Sequence, residues 1–107
     1  MLYLMMDKNA KMNLVKVGFS DGQSNLKTRR KAYFSYNPLA IMRSSCAGSR
    51  TMEKTCHGKL AEWGCSLSGT EWFIVPNELF DKLYKSGLSV FYPKNNVHFL
   101  EKFPWDA

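Results

Sequence analysis

Glu53 and His57 are the two side chains of this sequence whose type and spacing are best suited to chemistry. They lie in Gly48–Gly64, where apolar residues recur at the helical steps of four, four and three. These apolar residues are Met52, Cys56, Leu60 and Trp63. Because residues four apart share one face of a helix, the carboxylate and the imidazole can act together as metal ligands or as an acid and a base. The alternative is an exposed pair at the edge of a core helix, and this segment by itself favours that alternative.

Composition predicts one globular domain over residues 1–107. The 107 residues are 45% hydrophobic and 14% aromatic, which is typical of a packed core and not of a disordered tail. A chain of this length has room for a single modest core. No apolar run approaches the roughly 18 residues of a membrane-spanning helix, so we expect no membrane association and a cytoplasmic location.

The three cysteines do not form a recognisable framework. Cys46, Cys56 and Cys65 are odd in number, and they are ten and nine residues apart. Together with His57 they also lack the paired spacing of a structural zinc site. The sequence therefore predicts reduced, mostly buried thiols.

Positive charge is concentrated in the first part of the chain. The formal net charge is +6, and residues 1–60 hold eleven Lys and Arg against three Asp and Glu. Such an excess favours a polyanionic partner, with nucleic acid as the first candidate. Charge alone also fits a basic surface without a partner. If DNA binds, the basic half should face its phosphate backbone.

The elements that must position Glu53 and His57 begin with two predicted strands, Met1–Met6 and Asn13–Ser20, which a short polar loop should join as an antiparallel hairpin. A helix is predicted from about Asn25 to Phe34, with a basic cluster turned outward or towards a cleft. That cluster consists of Lys27, Arg29, Arg30 and Lys31. Leu39–Ala47 is interpreted as a third strand before the helix in Gly48–Gly64.

The remaining chain gives weaker signals. Ser66–Thr70 is interpreted as a loop, and Glu71–Val75 as a short strand-like run that ends at Pro76. The region 76–107 then contains a helix that Gly87 ends and an aromatic tail, in which Ser89–Tyr92 is a possible strand. The expected fold class is α/β, with a small, mainly antiparallel, three-stranded sheet flanked by helices.

The order of these pieces resembles the GIY-YIG endonuclease superfamily, in particular its short bacteriophage-type branch. The resemblance covers residues 2–75. It rests on Tyr3, on Lys16-Val17-Gly18, on the arginine pair of the first helix, on Glu53-x₃-His57 and on Glu71-Trp72-Phe73. Each motif alone is unspecific, and the ordered set carries the resemblance. The first motif departs from the superfamily at Met1-Leu2, and Asn77 is the best-placed candidate for the superfamily's late asparagine.

The resemblance implies a metal-dependent nuclease that hydrolyses phosphodiester bonds of DNA with Mg²⁺ or Mn²⁺. Glu53 matches the metal-ligand glutamate, and Gly18 matches a glycine that allows close packing beside the site. Arg29 matches the helix arginine that holds the phosphate better than the alternative, Arg30. Lys16 stands where most of the superfamily has a second tyrosine. The substrate-binding residues would include Lys27, Arg30 and Lys31.

The resemblance leaves the activation of water open between Tyr3 and His57. Tyr3, aided by the charge of Lys16, would deprotonate or orient the water. His57 would act as the base instead, or would orient Glu53. A phage-encoded protein would work in the host cytoplasm, as a monomer, as a homodimer or with a partner protein. The alternative function is an inactive domain on the same scaffold that binds nucleic acid or a host protein.

Overall fold

An antiparallel sheet forms the centre of the molecule. The computed structural model describes residues 1–8, 12–21, 28, 40–68, 72–94 and 96–99. Within these residues the sheet has six strands: β1 (Leu2–Lys8), β2 (Asn13–Phe19), β3 (Ile41–Cys46), β4 (Ser66–Ser68), β5 (Trp72–Val75) and β6 (His98–Phe99). Their spatial order is β4-β5-β2-β1-β3-β6, and each pair of neighbours is antiparallel.

Strand β1 occupies the middle of the sheet because its apolar run can be buried on both faces. The predicted hairpin is confirmed, since β1 pairs with β2 from Leu2↔Phe19 to Lys8↔Asn13. The other edge of β1 pairs with β3. Six consecutive residues of β1, Leu2 to Asp7, are buried. This is the burial expected of a strand with neighbours on both sides and side chains packed on both faces.

The α/β class is confirmed, but the expectation of three strands was too low. Ser66–Ser68, interpreted as a loop, pairs with Trp72–Val75, and Asn13–Val15 of β2 then pairs with β5. His98–Phe99 adds a further edge strand beside β3. Strands of two or three residues are too short to show a periodic pattern, so backbone pairing with distant residues decides their conformation.

Two predicted helices are confirmed as α1 (Arg50–Glu62) and α2 (Asn77–Ser86). Ser49 caps α1, because its side chain accepts a hydrogen bond from the Met52 backbone N–H. Gly64, with a φ of 81°, follows the last turn of α1 in the left-handed conformation that glycine tolerates. Trp63, expected on the buried stripe, is 44% exposed and stacks on Phe91.

The prediction of a possible strand at Ser89–Tyr92 was wrong. A 3₁₀ helix follows α2 directly at Gly87–Val90. Its first residue, Gly87, has a φ of 57°, and a side chain there would collide with Ser44 of β3. The Leu88 backbone N–H donates to the Ser44 hydroxyl over 3.2 Å, which anchors the 3₁₀ helix to the sheet.

The two faces of the sheet carry different residues. Leu2 and Leu4 of β1 and Val17 of β2 belong to the core that also contains buried residues of α1 and α2. Tyr3 and Met5 belong to a second cluster with Met42 and Ala40. A β-strand turns alternate side chains to opposite faces, so neighbouring residues of β1 and β2 serve different sides of the sheet.

The thiols are as expected from the sequence. Cys46, Cys56 and Cys65 are free and buried. Burial raises the pKa of the Cys56 thiol to about 12 and outweighs the hydrogen bond with Tyr92, which lowers that pKa.

Apart from Thr28, which is helical, the helix predicted for Asn25–Phe34 lies outside the described residues. Among the helices described, none is long and apolar enough to cross a membrane.

Candidate active site

A cleft of about 360 Å³ lies at the outer edge of β2. Strand β5 pairs with β2 at Asn13–Val15, and within the described residues no strand pairs with the outer edge of β2 beyond Val15. Side chains from both faces of the sheet therefore meet around this open edge. The cleft is lined by Tyr3, Lys16, Val17, Gly18, Phe19, Arg50, Glu53, His57, Leu67 and Phe73.

One face of the sheet brings Tyr3 and Lys16 to the cleft. Tyr3 lies directly opposite Gly18 in the pairing of β1 with β2, and Met5 lies opposite Lys16. Directly opposed residues of an antiparallel pair project to the same face, so Tyr3 and Lys16 share a face. Both are almost fully buried, with 1% and 4% of their surface exposed.

Gly18 allows the Tyr3 side chain to cross β2. A Cβ at position 18 would lie 2.4 Å from both Cζ and the hydroxyl oxygen of Tyr3. The Tyr3 ring is buried and cannot swing away without leaving the cleft. Glycine at this position therefore sets where the phenol hydroxyl lies.

We expect Gly18→Ala to destabilise the protein by about 1–3 kcal/mol, because the new methyl group overpacks the Tyr3 ring. Gly58→Ala is the matched control. Gly58 lies within α1, and a Cβ there meets nothing within 4 Å. Alanine should therefore stabilise α1 by about 0.5–1 kcal/mol. Urea unfolding of both variants checks these signs, and equal stability of Gly18→Ala and wild type would show that Tyr3 can move at little cost.

The helix α1 supplies Arg50, Glu53 and His57 from the other face of the sheet. Their spacing of three and four residues places them on one side of the helix. His57 Nε2 lies 2.7 Å from the carbonyl oxygen of Val17 on the open edge of β2. This hydrogen bond ties α1 to the strand and holds the His57 ring beside Phe73, with 5.6 Å between the ring centroids.

The hydrogen bond to Val17 also assigns the proton of the imidazole. A carbonyl oxygen can only accept, so Nε2 of His57 must carry the hydrogen. In neutral His57 the lone pair is then on Nδ1. Nδ1 makes no hydrogen bond with another described residue. The geometry therefore leaves a proton acceptor on the ring of His57.

Glu53 lies one turn before His57 and is partly buried at the cleft. Its carboxylate makes no hydrogen bond or ion pair with any other described residue. Within the described part of the chain, no group of three or more His, Cys, Asp or Glu is arranged to hold a metal ion. A single accessible carboxylate nevertheless fits Mg²⁺, which commonly binds one or two carboxylates and takes its other ligands from water and phosphate.

Comparison with known proteins gives the family. A T5orf172 domain matches residues 1–86. The chain belongs to the T5orf172 domain family. This domain is found in phage proteins and in proteins associated with GIY-YIG-like and HNH-like nucleases. No curated protein and no solved structure matches the chain.

The T5orf172 match includes every residue that lines the cleft. Of the site residues expected from the sequence, the structure brings Tyr3, Lys16, Glu53 and His57 together, with Gly18 beneath Tyr3. The predicted phosphate- and substrate-binding cations lie outside the described residues. These are Lys27, Arg29, Arg30 and Lys31.

Asn77 and Arg50 also lie within the T5orf172 match, but only Arg50 lines the cleft. Asn77 does not line it, and its side-chain oxygen instead accepts a 2.5 Å hydrogen bond from Asn13 at the start of β2. Arg50 does line it but was missed by the sequence analysis. The available signal was its position three residues before Glu53, which places both on one side of α1.

Proposed function

We propose that this T5orf172 domain is a GIY-YIG-type endonuclease that hydrolyses phosphodiester bonds of DNA with Mg²⁺ or Mn²⁺. The observation that carries the proposal is the meeting of four side chains from three separate elements in one cleft. These are Tyr3 of β1, Lys16 of β2, and Glu53 and His57 of α1. The occurrence of the family in phage and nuclease-associated proteins supports the same function.

Glu53 is the residue that would hold the metal ion. It supplies a carboxylate that faces the cleft, and no hydrogen bond or ion pair with another described residue competes for it. A bound divalent ion would neutralise charge on the phosphate and stabilise the leaving 3′ oxygen. The uneven charge of the chain provides a favourable setting, because eleven of its fifteen Lys and Arg lie in residues 1–60.

Lys16 and Arg29 are the proposed partners of the phosphate that is cleaved. The buried position of Lys16 at the cleft places a cation where water screens it weakly. A phosphate oxygen entering the cleft would therefore interact with Lys16 more strongly than with a surface lysine. Arg29 would bind the same phosphate bidentately, and Lys27, Arg30 and Lys31 would contact the neighbouring DNA backbone.

His57 is the better placed of the two candidates for activating water. Its ring is only partly buried, and Nδ1 has no hydrogen-bond partner among the described residues. Tyr3, in contrast, is 1% exposed and pressed against Gly18. We therefore assign His57 as the general base. The hydroxyl of Tyr3 would orient the water or the phosphate by hydrogen bonding.

We expect purified protein to nick or linearise supercoiled plasmid DNA in Mg²⁺ or Mn²⁺, because the cleft combines a metal ligand, a base and a buried cation. Chelation with EDTA should stop the reaction, and agarose gels measure both results. Cutting both strands with one site needs two molecules or two binding events, so linear product should depend more steeply on protein concentration than nicked product. Binding to DNA without cleavage of plasmid, linear or branched DNA in either metal would contradict the proposal and indicate a binding domain.

A further inference from the structure

Arg50 is a second cation at the cleft, on the helix that carries Glu53 and His57. It is the first residue of α1 and is exposed to solvent. Its guanidinium lies over the ring of Phe19, with Cζ 5.2 Å from the ring centroid. Phe19 ends β2 and also lines the cleft. Arg50 therefore sits at the end of the open edge of β2.

The guanidinium of Arg50 has no polar partner among the described residues. An arginine three residues before a glutamate on a helix can form an ion pair with it. The Arg50 guanidinium instead forms no hydrogen bond or ion pair with any described residue, and it lies over the ring of Phe19. Stacking on an aromatic face leaves the N–H groups at the edge of the guanidinium available to an anion. The Phe19 ring thus favours one position of the guanidinium, and the N–H donors of Arg50 remain available to an anion.

We infer that Arg50 binds a phosphate of the DNA strand next to the phosphate that is cleaved, an inference that rests on the proposed nuclease function. Three residues of helix advance by about 4.5 Å along the axis. Arg50 and Glu53 therefore lie about one helical turn apart on the same side of α1, and both line the cleft. A strand whose reacting phosphate lies at Glu53 would bring a neighbouring phosphate to Arg50. Arg50 would set the register of the strand while Glu53 serves the reacting phosphate.

Arginine is the appropriate residue for this contact. Its planar guanidinium can donate two parallel hydrogen bonds to one phosphate, and the ring of Phe19 restricts its orientation before DNA arrives. Less conformational freedom is then lost on binding. Arg50 would act as a phosphate-binding residue that positions the strand, and it would have no part in proton transfer.

The test is binding of a short fluorescein-labelled DNA duplex in EDTA over a range of salt concentrations. We expect Arg50→Gln to weaken binding about tenfold at physiological salt, because one charge-assisted contact is lost. The slope of log affinity against log salt should fall in magnitude by about 0.9, which corresponds to one phosphate contact. Phe19→Leu, which keeps the charge but removes the aromatic face, should weaken binding by a smaller factor. Arg50→Lys should restore the slope but only part of the affinity.

Lys54→Gln is the matched control, since it removes the same charge from an exposed residue of α1 that does not line the cleft. An unchanged salt slope in Arg50→Gln, or an equal change in Lys54→Gln, would overturn the assignment. Because the measurement is made without metal, it does not depend on cleavage. Wild-type protein that binds DNA but never cuts it would contradict the nuclease proposal, whereas a cutting enzyme with an unaffected Arg50→Gln slope would contradict this inference alone.

Discussion

Glu53→Gln should reduce DNA cleavage by at least about 100-fold while leaving the protein folded. Loss of one preorganised group that stabilises the transition state commonly costs about 10²–10³ in kcat. Glu53 supplies the carboxylate among the described residues that line the cleft, so no other described residue of the cleft can replace it. Glutamine preserves the size of the side chain and removes its charge. The measurements are single-turnover cleavage and binding of Mn²⁺ to the free protein, which should fall together.

DNA binding by Glu53→Gln shows whether the variant has lost only its metal ligand or whether the whole cleft is disrupted. Removal of a negative charge from a basic surface should leave DNA affinity unchanged or slightly higher in EDTA. The protein should also stay folded, because the Glu53 carboxylate makes no hydrogen bond or ion pair with another described residue. Lys54→Gln should cleave nearly as well as wild type. A Glu53→Gln protein that cuts normally would place the metal elsewhere, and one that fails to fold would make Glu53 a structural residue.

His57→Gln should lower kcat by about 10²–10⁴, the range expected when a general base is removed. The amide nitrogen of glutamine can still donate a hydrogen bond to the carbonyl of Val17, as Nε2 of His57 does. The variant therefore keeps the link between α1 and β2 but loses the proton acceptor. Cleavage under single-turnover conditions, compared with DNA binding in EDTA, measures the effect on chemistry alone.

Two further variants assign the base between His57 and Tyr3. His57→Ala also loses the hydrogen bond to Val17, so its free energy of unfolding should fall by about 0.5–1.5 kcal/mol below that of His57→Gln. Tyr3→Phe keeps the ring over Gly18 and removes the hydroxyl. If Tyr3 orients the water, its loss should have a smaller effect than that of His57→Gln. A large loss in Tyr3→Phe together with a normal rate in His57→Gln would reverse the assignment.

The sequence determined the elements whose stability is local. The apolar period of Gly48–Gly64 predicted α1, and the apolar first strand with its short loop predicted the β1–β2 hairpin. Helical spacing also placed Glu53 and His57 on one side of α1. These features depend on neighbours within a few residues, so composition and spacing were sufficient. The link from Tyr3 to Glu53 came only from the resemblance in motif order, since no local pattern relates residues 50 positions apart.

The tertiary structure decided how these elements form a cleft. Ser66–Ser68 has no strand pattern of its own. It forms a strand because it pairs with β5, and β5 in turn pairs with β2. Because β5 stops pairing after Val15 of β2, the Val17 carbonyl is left for His57. The position of Arg50 over Phe19 likewise depends on the packing of α1 against β2. Such contacts join residues distant in the chain, and their geometry follows from packing and backbone pairing, which one-dimensional spacing does not contain.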